Sequence, residues 1–180
     1  MDKAIIRITR TALFTALLVS LQAATLPFGS TLVTGSVVNL LLILAALFLD
    51  LPAAAAVGLL SPAVAKFLGI GPLWSLIPFI ALGNLVLISV WRAVIRRWGQ
   101  GWRALGAAAL LAAPAKTAAL YLGIVQFAVP PLLRLPLQQA SAVSALFSLP
   151  QLVTALVGGA AAVALFPALR LAVPEPPSRG

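Results

Sequence analysis

The chain has 180 residues, of which 62% are hydrophobic and 8% are charged, with a formal net charge of +9. Soluble domains average about 45–50% apolar and about 25% charged residues, so this composition excludes a soluble protein and predicts an all-α integral membrane protein. The sequence contains no Cys and no His, which excludes a disulfide framework, an imidazole base and a Cys/His metal site.

Six apolar runs predict a bundle of six transmembrane helices. Runs of about 20 apolar residues match a hydrocarbon core ~30 Å thick, and here each run is bounded by Pro, Gly or charged residues. In chain order the predicted spans cover residues 8–26, 35–49, 53–69, 74–95, 103–127 and 140–169. The second and third are short and predict a helical hairpin. Pro78, Pro114 and Pro150 fall inside the last three, where each should kink its helix or free a carbonyl.

The basic residues predict the direction of these spans. A cytoplasmic N-terminus places nine of them on the cytoplasmic side, namely Lys3, Arg7, Arg10, Arg92, Arg96, Arg97, Arg103, Arg170 and Arg179. The loops on the opposite side hold only Arg134. This positive-inside asymmetry predicts that both termini are cytoplasmic. It also assigns the net charge to the membrane flanks and not to a nucleic-acid partner.

The chain is predicted to form one membrane domain with a short tail. The domain covers residues 1–172, and the Pro-rich residues 173–180 are predicted to be a disordered C-terminal tail. Aromatic side chains commonly anchor helices at the membrane interface. Four tryptophans lie near predicted interfaces and are expected to do so: Trp74, Trp91, Trp98 and Trp102.

Lys116 is the leading candidate functional residue. It lies near the middle of the fifth predicted span, whereas the three acids lie at segment margins or in tails: Asp2, Asp50 and Glu175. A lone ammonium at membrane depth costs at least ~2.5–3.5 kcal/mol on insertion scales, so it normally faces a cavity, a ligand or a polar partner. One interpretation is contact with a polar or anionic substrate. The alternative is structural, with an ammonium that caps carbonyls freed by Pro114, or with a neutral amine.

Other polar residues are expected in the middle and outer half of the bundle. Asn39 is expected within about one turn of the outer end of the second span, and Asn84 near the midplane of the fourth. Both fit hydrogen bonding between helices and ligand contact equally well. Lys66 fits a side chain that snorkels to the outer interface. Three further candidate substrate-binding residues lie in the fifth and sixth spans: Tyr121, Gln126 and Gln151.

Ala12 and Ala16, with Thr15 beside them, form a small-residue face on the cytoplasmic half of the first span. Such faces allow another helix to approach closely. They predict a docking surface for a partner protein. Packing within the chain or exposure to lipid is the alternative explanation.

The sequence disfavours an enzyme and a self-powered transporter. Without histidine there is no Ser-His-Asp triad and no His-based metalloprotease site. No Gly-x-x-x-x-Gly-Lys-Ser/Thr loop for nucleotide phosphates occurs, and no Asp, Glu or His lies within a predicted span. Proton relays usually require such residues. No cofactor is expected, and the predicted protein is a membrane cavity that binds a molecule without its own power source.

Four segments resemble the substrate-binding S component of energy-coupling factor (ECF) transporters. They are the basic N-terminus followed by TALFTAL (11–17), TGSVVN (34–39), GLLSP (58–62) and IPFIALGN (77–84). Lys116 is also similar to a position in several S components with unassigned substrates. The similarity covers roughly residues 7–170 and rests on the order and spacing of the segments.

The resemblance implies a multi-pass subunit of a prokaryotic cytoplasmic membrane that captures a vitamin or related micronutrient from outside. It implies association with a transmembrane coupling protein and two ATPases, which supply the power. The face formed by Ala12 and Ala16 would dock on the coupling protein, and residues 27–34 would act as a lid over the polar site residues. Two alternatives remain open: a stand-alone channel or facilitator, and a structural subunit of a membrane complex.

Overall fold

The chain is helical throughout the part that the structure describes. The computed structural model covers residues 3–172, without the side chains of Lys3, Pro131 and Leu132, and contains no strand in that range. The predicted tail, residues 173–180, lies outside the described residues. The all-helical prediction is therefore confirmed for residues 3–172.

Seven α-helices within this range form the bundle. They are α1 (Lys3–Thr25), α2 (Thr31–Phe48), α3 (Leu51–Phe67), α4 (Ile77–Trp98), α5 (Trp102–Leu120), α6 (Leu137–Leu146) and α7 (Leu149–Ala172). α5 continues directly as a π-helix, Tyr121–Leu133. Short 3-10 turns, Leu26–Phe28 and Trp74–Leu76, precede α2 and α4.

Among the described residues, five stretches are long and apolar enough to cross a membrane. They are Ala4–Phe28, Thr31–Phe48, Trp74–Trp98, Trp102–Pro130 and Leu137–Ala172. Stretches of this length and composition are typical of a multi-pass membrane protein. α3 is also apolar but has only 17 residues.

Two prolines lie at helix starts and not in helix interiors, contrary to the prediction. Pro78 lies in the first turn of α4, and Pro150 is the second residue of α7. The fixed φ and missing N–H of proline suit the first turn, where no intrahelical bond is lost. The chain breaks at residues 147–148, so the predicted sixth helix consists of α6 and α7. Pro114 lies inside α5 as predicted.

Capping bonds fix the turn between α2 and α3. Asp50 Oδ1 accepts a hydrogen bond from Ala53 N at 3.0 Å. The Arg92 guanidinium of α4 donates to Ala46 O and Leu49 O at 3.0 Å each. These bonds satisfy backbone groups that helix ends leave unpaired. The short connection between α2 and α3 agrees with the predicted hairpin.

Most of the described basic residues lie at one end of the bundle. Arg7 of α1 pairs with Asp50 at 3.3 Å, and Arg92 contacts the end of α2. The start of α1, the α2–α3 turn and the end of α4 therefore share this end, where α5 also begins and α7 ends. We call it the basic end, and its basic residues are Arg7, Arg10, Arg92, Arg96, Arg97, Arg103 and Arg170.

The buried core centres on α2, which packs against α1, α3, α4 and α7. Trp91 of α4 belongs to this core with 1% of its surface exposed, so the prediction that it anchors at the interface is wrong. It shares the buried face of α4 with Asn84, Leu87 and Ile88, at helical spacing. The other three tryptophans are each at least half exposed, as interfacial anchors are expected to be: Trp74, Trp98 and Trp102.

Candidate functional site

Lys116 lies in the interior of α5 and ends in a buried, hydrogen-bonded site. Only 3% of its surface is exposed. Its Nζ donates to Asn39 Oδ1 of α2 at 2.6 Å and to Asn84 Oδ1 of α4 at 2.9 Å. Three candidate residues from distant parts of the sequence therefore meet at one point. The two acceptors of Lys116 are side-chain amides and not carbonyls freed by Pro114, which is one of the two structural alternatives.

Further hydrogen bonds fix the orientation of both amides. Asn39 Nδ2 donates to Thr154 Oγ1 of α7 at 3.2 Å, and Thr154 Oγ1 donates to Gln151 O at 3.1 Å. Asn84 Nδ2 donates to Gly58 O of α3 at 3.1 Å. Because each amide nitrogen has its own acceptor, each amide oxygen faces the lysine. The network links α2, α3, α4, α5 and α7.

The contact between α2 and α7 depends on a close helix crossing at Gly158. A Cβ at this position would lie 2.7 Å from Ser36 O and 2.8 Å from the Cβ of Asn39. The backbone of α2 cannot yield locally, so a side chain here must push the two helices apart. We expect Gly158→Ala to lower the free energy of unfolding by about 1–3 kcal/mol, the usual cost of overpacking.

Thermal unfolding of the purified protein in detergent measures this loss. Gly106→Ala in α5 is the matched control, since nothing lies within 4 Å of its Cβ position. Gly106→Ala should retain or slightly raise the melting temperature, because alanine has the higher helix propensity. Equal melting temperatures for Gly158→Ala and the wild type would show that the crossing has room to spare.

Lys116 lines a cavity of about 520 Å³. This volume lies within the ~300–1,000 Å³ of typical small-molecule sites. The cavity is also lined by residues 29–31, 70–72 and 146–147, which lie at the ends of α1, α3 and α6 and at the start of α2. These segments are at the end of the bundle opposite the basic end. We call this opening the mouth.

Four of the six predicted substrate-binding residues line this cavity: Asn39, Asn84, Lys116 and Gln151. The structure places the other two, Tyr121 and Gln126, outside it. Gln126 Nε2 donates to Tyr121 Oη at 3.0 Å in an exposed pair. Both residues belong to the π-helical continuation of α5, in which side chains follow a different angular spacing from that of an α-helix.

The helix boundaries change two expectations about the mouth. α2 begins at Thr31, after the cap formed by Ser30, and not near residue 35. Asn39 therefore lies in the middle of α2 and not within one turn of its end. The predicted lid, residues 27–34, is largely ordered as the 3-10 turn and the first turn of α2, although Ser30, Thr31 and Thr34 do line the cavity.

Sequence reasoning missed two residues of the network. It also left the exact position of Lys66, which lies outside the network, open. Thr154 and the Gly58 carbonyl hold the two asparagine amides. Thr154 lies three residues after Gln151, one helical turn along the same face, so its position near a candidate residue was the available signal. Lys66 lies near the mouth, where its Nζ donates to Gly71 O at 3.5 Å.

A second concavity of about 770 Å³ lies between α1 and α3. Ala12 and Ala16 line it together with Arg7 and Thr11, and both alanines are exposed. The α3 side contributes mainly small or aliphatic residues: Pro52, Ala53, Ala56, Leu60 and Val64. The predicted small-residue face is therefore an open groove in the half of the bundle nearer the basic end.

Among residues 3–172 no group of three or more His, Cys, Asp or Glu side chains is placed to hold a metal ion. No protein-family model, curated protein or solved structure matches the chain. The function is therefore inferred from the residues themselves and from the geometry of the cavity.

Proposed function

We propose that the chain is the substrate-binding S component of an ECF-type importer, which captures a vitamin or related micronutrient from outside the cell. The observation that carries this function is the buried Lys116 amine in a cavity that opens away from the basic end. A cation at membrane depth normally faces a ligand, a cavity or a polar partner. Here the amine has both a cavity and two amide partners.

The orientation follows from charge. Basic residues accumulate on the cytoplasmic side of short loops, so the basic end is assigned to the cytoplasm and the mouth to the exterior. In this arrangement α3 is the sixth span. Its 17 residues give about 26 Å at ~1.5 Å per residue, slightly less than a hydrocarbon core of ~30 Å, and local thinning or snorkelling of Lys66 accommodates the difference.

Import against a gradient requires a power source that this chain lacks. The sequence has no nucleotide-binding phosphate loop, so ATP hydrolysis is assigned to two separate ATPases acting through a transmembrane coupling protein. The groove between α1 and α3 is the proposed docking site for that coupling protein. Its exposed alanines permit close approach of a partner helix.

We expect the double variant Ala12→Leu/Ala16→Leu to abolish association with the coupling protein. Two leucines would fill the groove and prevent close helix contact. Co-purification of the tagged chain with the co-expressed coupling protein and two ATPases measures the effect. Ala23→Leu/Ala24→Leu is the control, because it adds the same bulk at two exposed positions of α1 outside the groove.

Two results would contradict the proposed function. Wild-type chain that never co-purifies with a coupling module, under conditions where both are expressed, would remove the basis for an S component. Uptake of substrate into liposomes that contain this chain alone would instead identify a channel or facilitator.

A structural subunit of a membrane complex is the second candidate, and one observation favours it. The Lys116 amine is already held by two amides, and the network joins five helices. Hydrogen bonds between helices alone explain such an arrangement. Native mass spectrometry of the purified chain separates the two candidates, since a structural subunit retains no small molecule.

A further inference from the structure

In its protonated form the Lys116 amine retains one N–H donor that the protein does not use. An ammonium carries three N–H donors, and the two bonds of Lys116 go to Asn39 and Asn84. Among the described residues Asp50 is the one acid, and it pairs with Arg7 at the basic end. The protein partners of the amine are therefore two neutral amides, and an anion in the cavity would complete the coordination of its protonated form.

Ser61 of α3 places a second unused donor in the same cavity. It is 1% exposed and lines the cavity, and its hydroxyl has no hydrogen-bond partner among residues 3–172. Helical serines often donate to the carbonyl four residues back, and buried polar groups are normally paired. Ser61 lies one turn from Gly58, whose carbonyl holds Asn84, so it lies on the mouth side of the network. Its hydroxyl is therefore a donor that a ligand in the cavity can use.

The remaining walls expose more apolar than polar surface, although Gln22, Thr31, Thr34 and Gln151 also line the cavity. The aliphatic walls include Leu18, Val38, Ile77, Ile80 and Leu120, and among the described lining residues Phe147 is the one aromatic. Flat heteroaromatic ligands gain binding energy by stacking on aromatic rings. These walls supply one such ring and not a pair that could enclose the ligand. A saturated hydrocarbon body is the better match to aliphatic walls, because its burial depends on apolar area alone.

Charge at the mouth favours a single negative charge on the ligand. Lys66 and Arg134 lie at this end of the bundle, and the described residues include no acid there. Such a field concentrates anions. A dianionic phosphate, however, would require several strong donors, and the Asn39 and Asn84 oxygens that face the site are acceptors.

We infer that the cavity takes an aliphatic monocarboxylate, with its carboxylate oxygens accepting hydrogen bonds from Lys116 Nζ and Ser61 Oγ and its hydrocarbon body against the aliphatic walls. This inference rests on the proposed function, in which the cavity is a substrate site. It names the substrate class and assigns Ser61 as a ligand-binding residue.

Isothermal titration of the full chain in nanodiscs, with empty nanodiscs as background, tests the inference. The probes share one chain length and differ in the head group: octanoate, octanamide, octylamine and octyl phosphate. We expect octanoate to bind at least about tenfold more tightly than the other three. A hydrogen bond to a charged group contributes more free energy than a neutral one, and the difference corresponds to about this change in affinity. Equal or tighter binding of octanamide, octylamine or octyl phosphate would overturn the inference.

Two substitutions test where the carboxylate of octanoate binds. Lys116→Met should remove the preference for octanoate over octanamide, and Ser61→Ala should weaken octanoate binding about tenfold. Thr117→Val is the matched control, since its hydroxyl donates to Ala113 O and the residue does not line the cavity. A preference for octanoate that survives in Lys116→Met would place the carboxylate elsewhere and overturn the assignment.

The molecule retained by the purified chain provides an independent result that does not depend on the fit of an eight-carbon probe. A retained aliphatic acid with one carboxyl group supports the inference, and a retained cation, phosphate or aromatic molecule contradicts it while leaving an S component intact. Octanoate preference combined with uptake by the chain alone would keep the inference and remove the proposed function. No probe binding and no retained molecule would remove both.

Discussion

Lys116→Met is expected to remove the affinity of the cavity for its ligand while leaving the helices assembled. Methionine has a similar length and removes the buried amine, but it leaves Asn39 Oδ1 and Asn84 Oδ1 without their donor, so some stability is lost. Loss of one partner from a buried, hydrogen-bonded charge pair costs about 2–5 kcal/mol of binding. This corresponds to an affinity loss of about 30-fold to several thousand-fold.

Native mass spectrometry and thermal unfolding together measure this outcome. The wild type should carry a bound small molecule, and Lys116→Met should be empty but still unfold in one cooperative transition, moderately below the melting temperature of the ligand-free wild type. Thr117→Val, one residue along α5 and outside the cavity, should carry the molecule at the wild-type level. Equal occupancy in Lys116→Met and the wild type would assign the lysine to helix packing.

The position of the site could be predicted because its signal is electrostatic and local to the sequence. Lys116 is conspicuous in an apolar run without an acid nearby, and a charge in that setting requires polar partners wherever the helices lie. Asn39 and Asn84 are predicted separately, as polar side chains at membrane depth that suit hydrogen bonding between helices and ligand contact equally well. The pairing of these three side chains is what the structure adds.

The limits of prediction are geometric. Apolar runs show where helices lie but fix their ends poorly, and a start at Thr31 moved Asn39 to the middle of α2. The π-helical continuation of α5 is not visible in an apolar run, and Tyr121 and Gln126 lie on it, outside the cavity. The burial of Trp91 could be predicted only with knowledge of which face of α4 is buried.

Structural and binding roles are compatible in this network. The amides of Asn39 and Asn84 are oriented by Thr154 and Gly58, so the lysine is held in place before any ligand arrives. A fixed donor loses little conformational entropy on binding, which favours affinity. The same bonds that join five helices would therefore preorganise the proposed site for a ligand head group.

This dual role predicts that removal of both amides strands the ammonium. We expect Asn39→Leu/Asn84→Leu to lose about 3–5 kcal/mol of stability, the usual cost of leaving a buried charge without its partners. Adding Lys116→Met should recover most of that loss, because the triple variant has no buried charge left to solvate. Thermal unfolding in detergent and membrane yield measure the series, with each single asparagine variant expected in between.

A triple variant as unstable as the double variant would attribute the loss to packing around leucine. A double variant as stable as the wild type would show that the amine does not depend on the two amides, and the proposed dual role of the network would then be wrong.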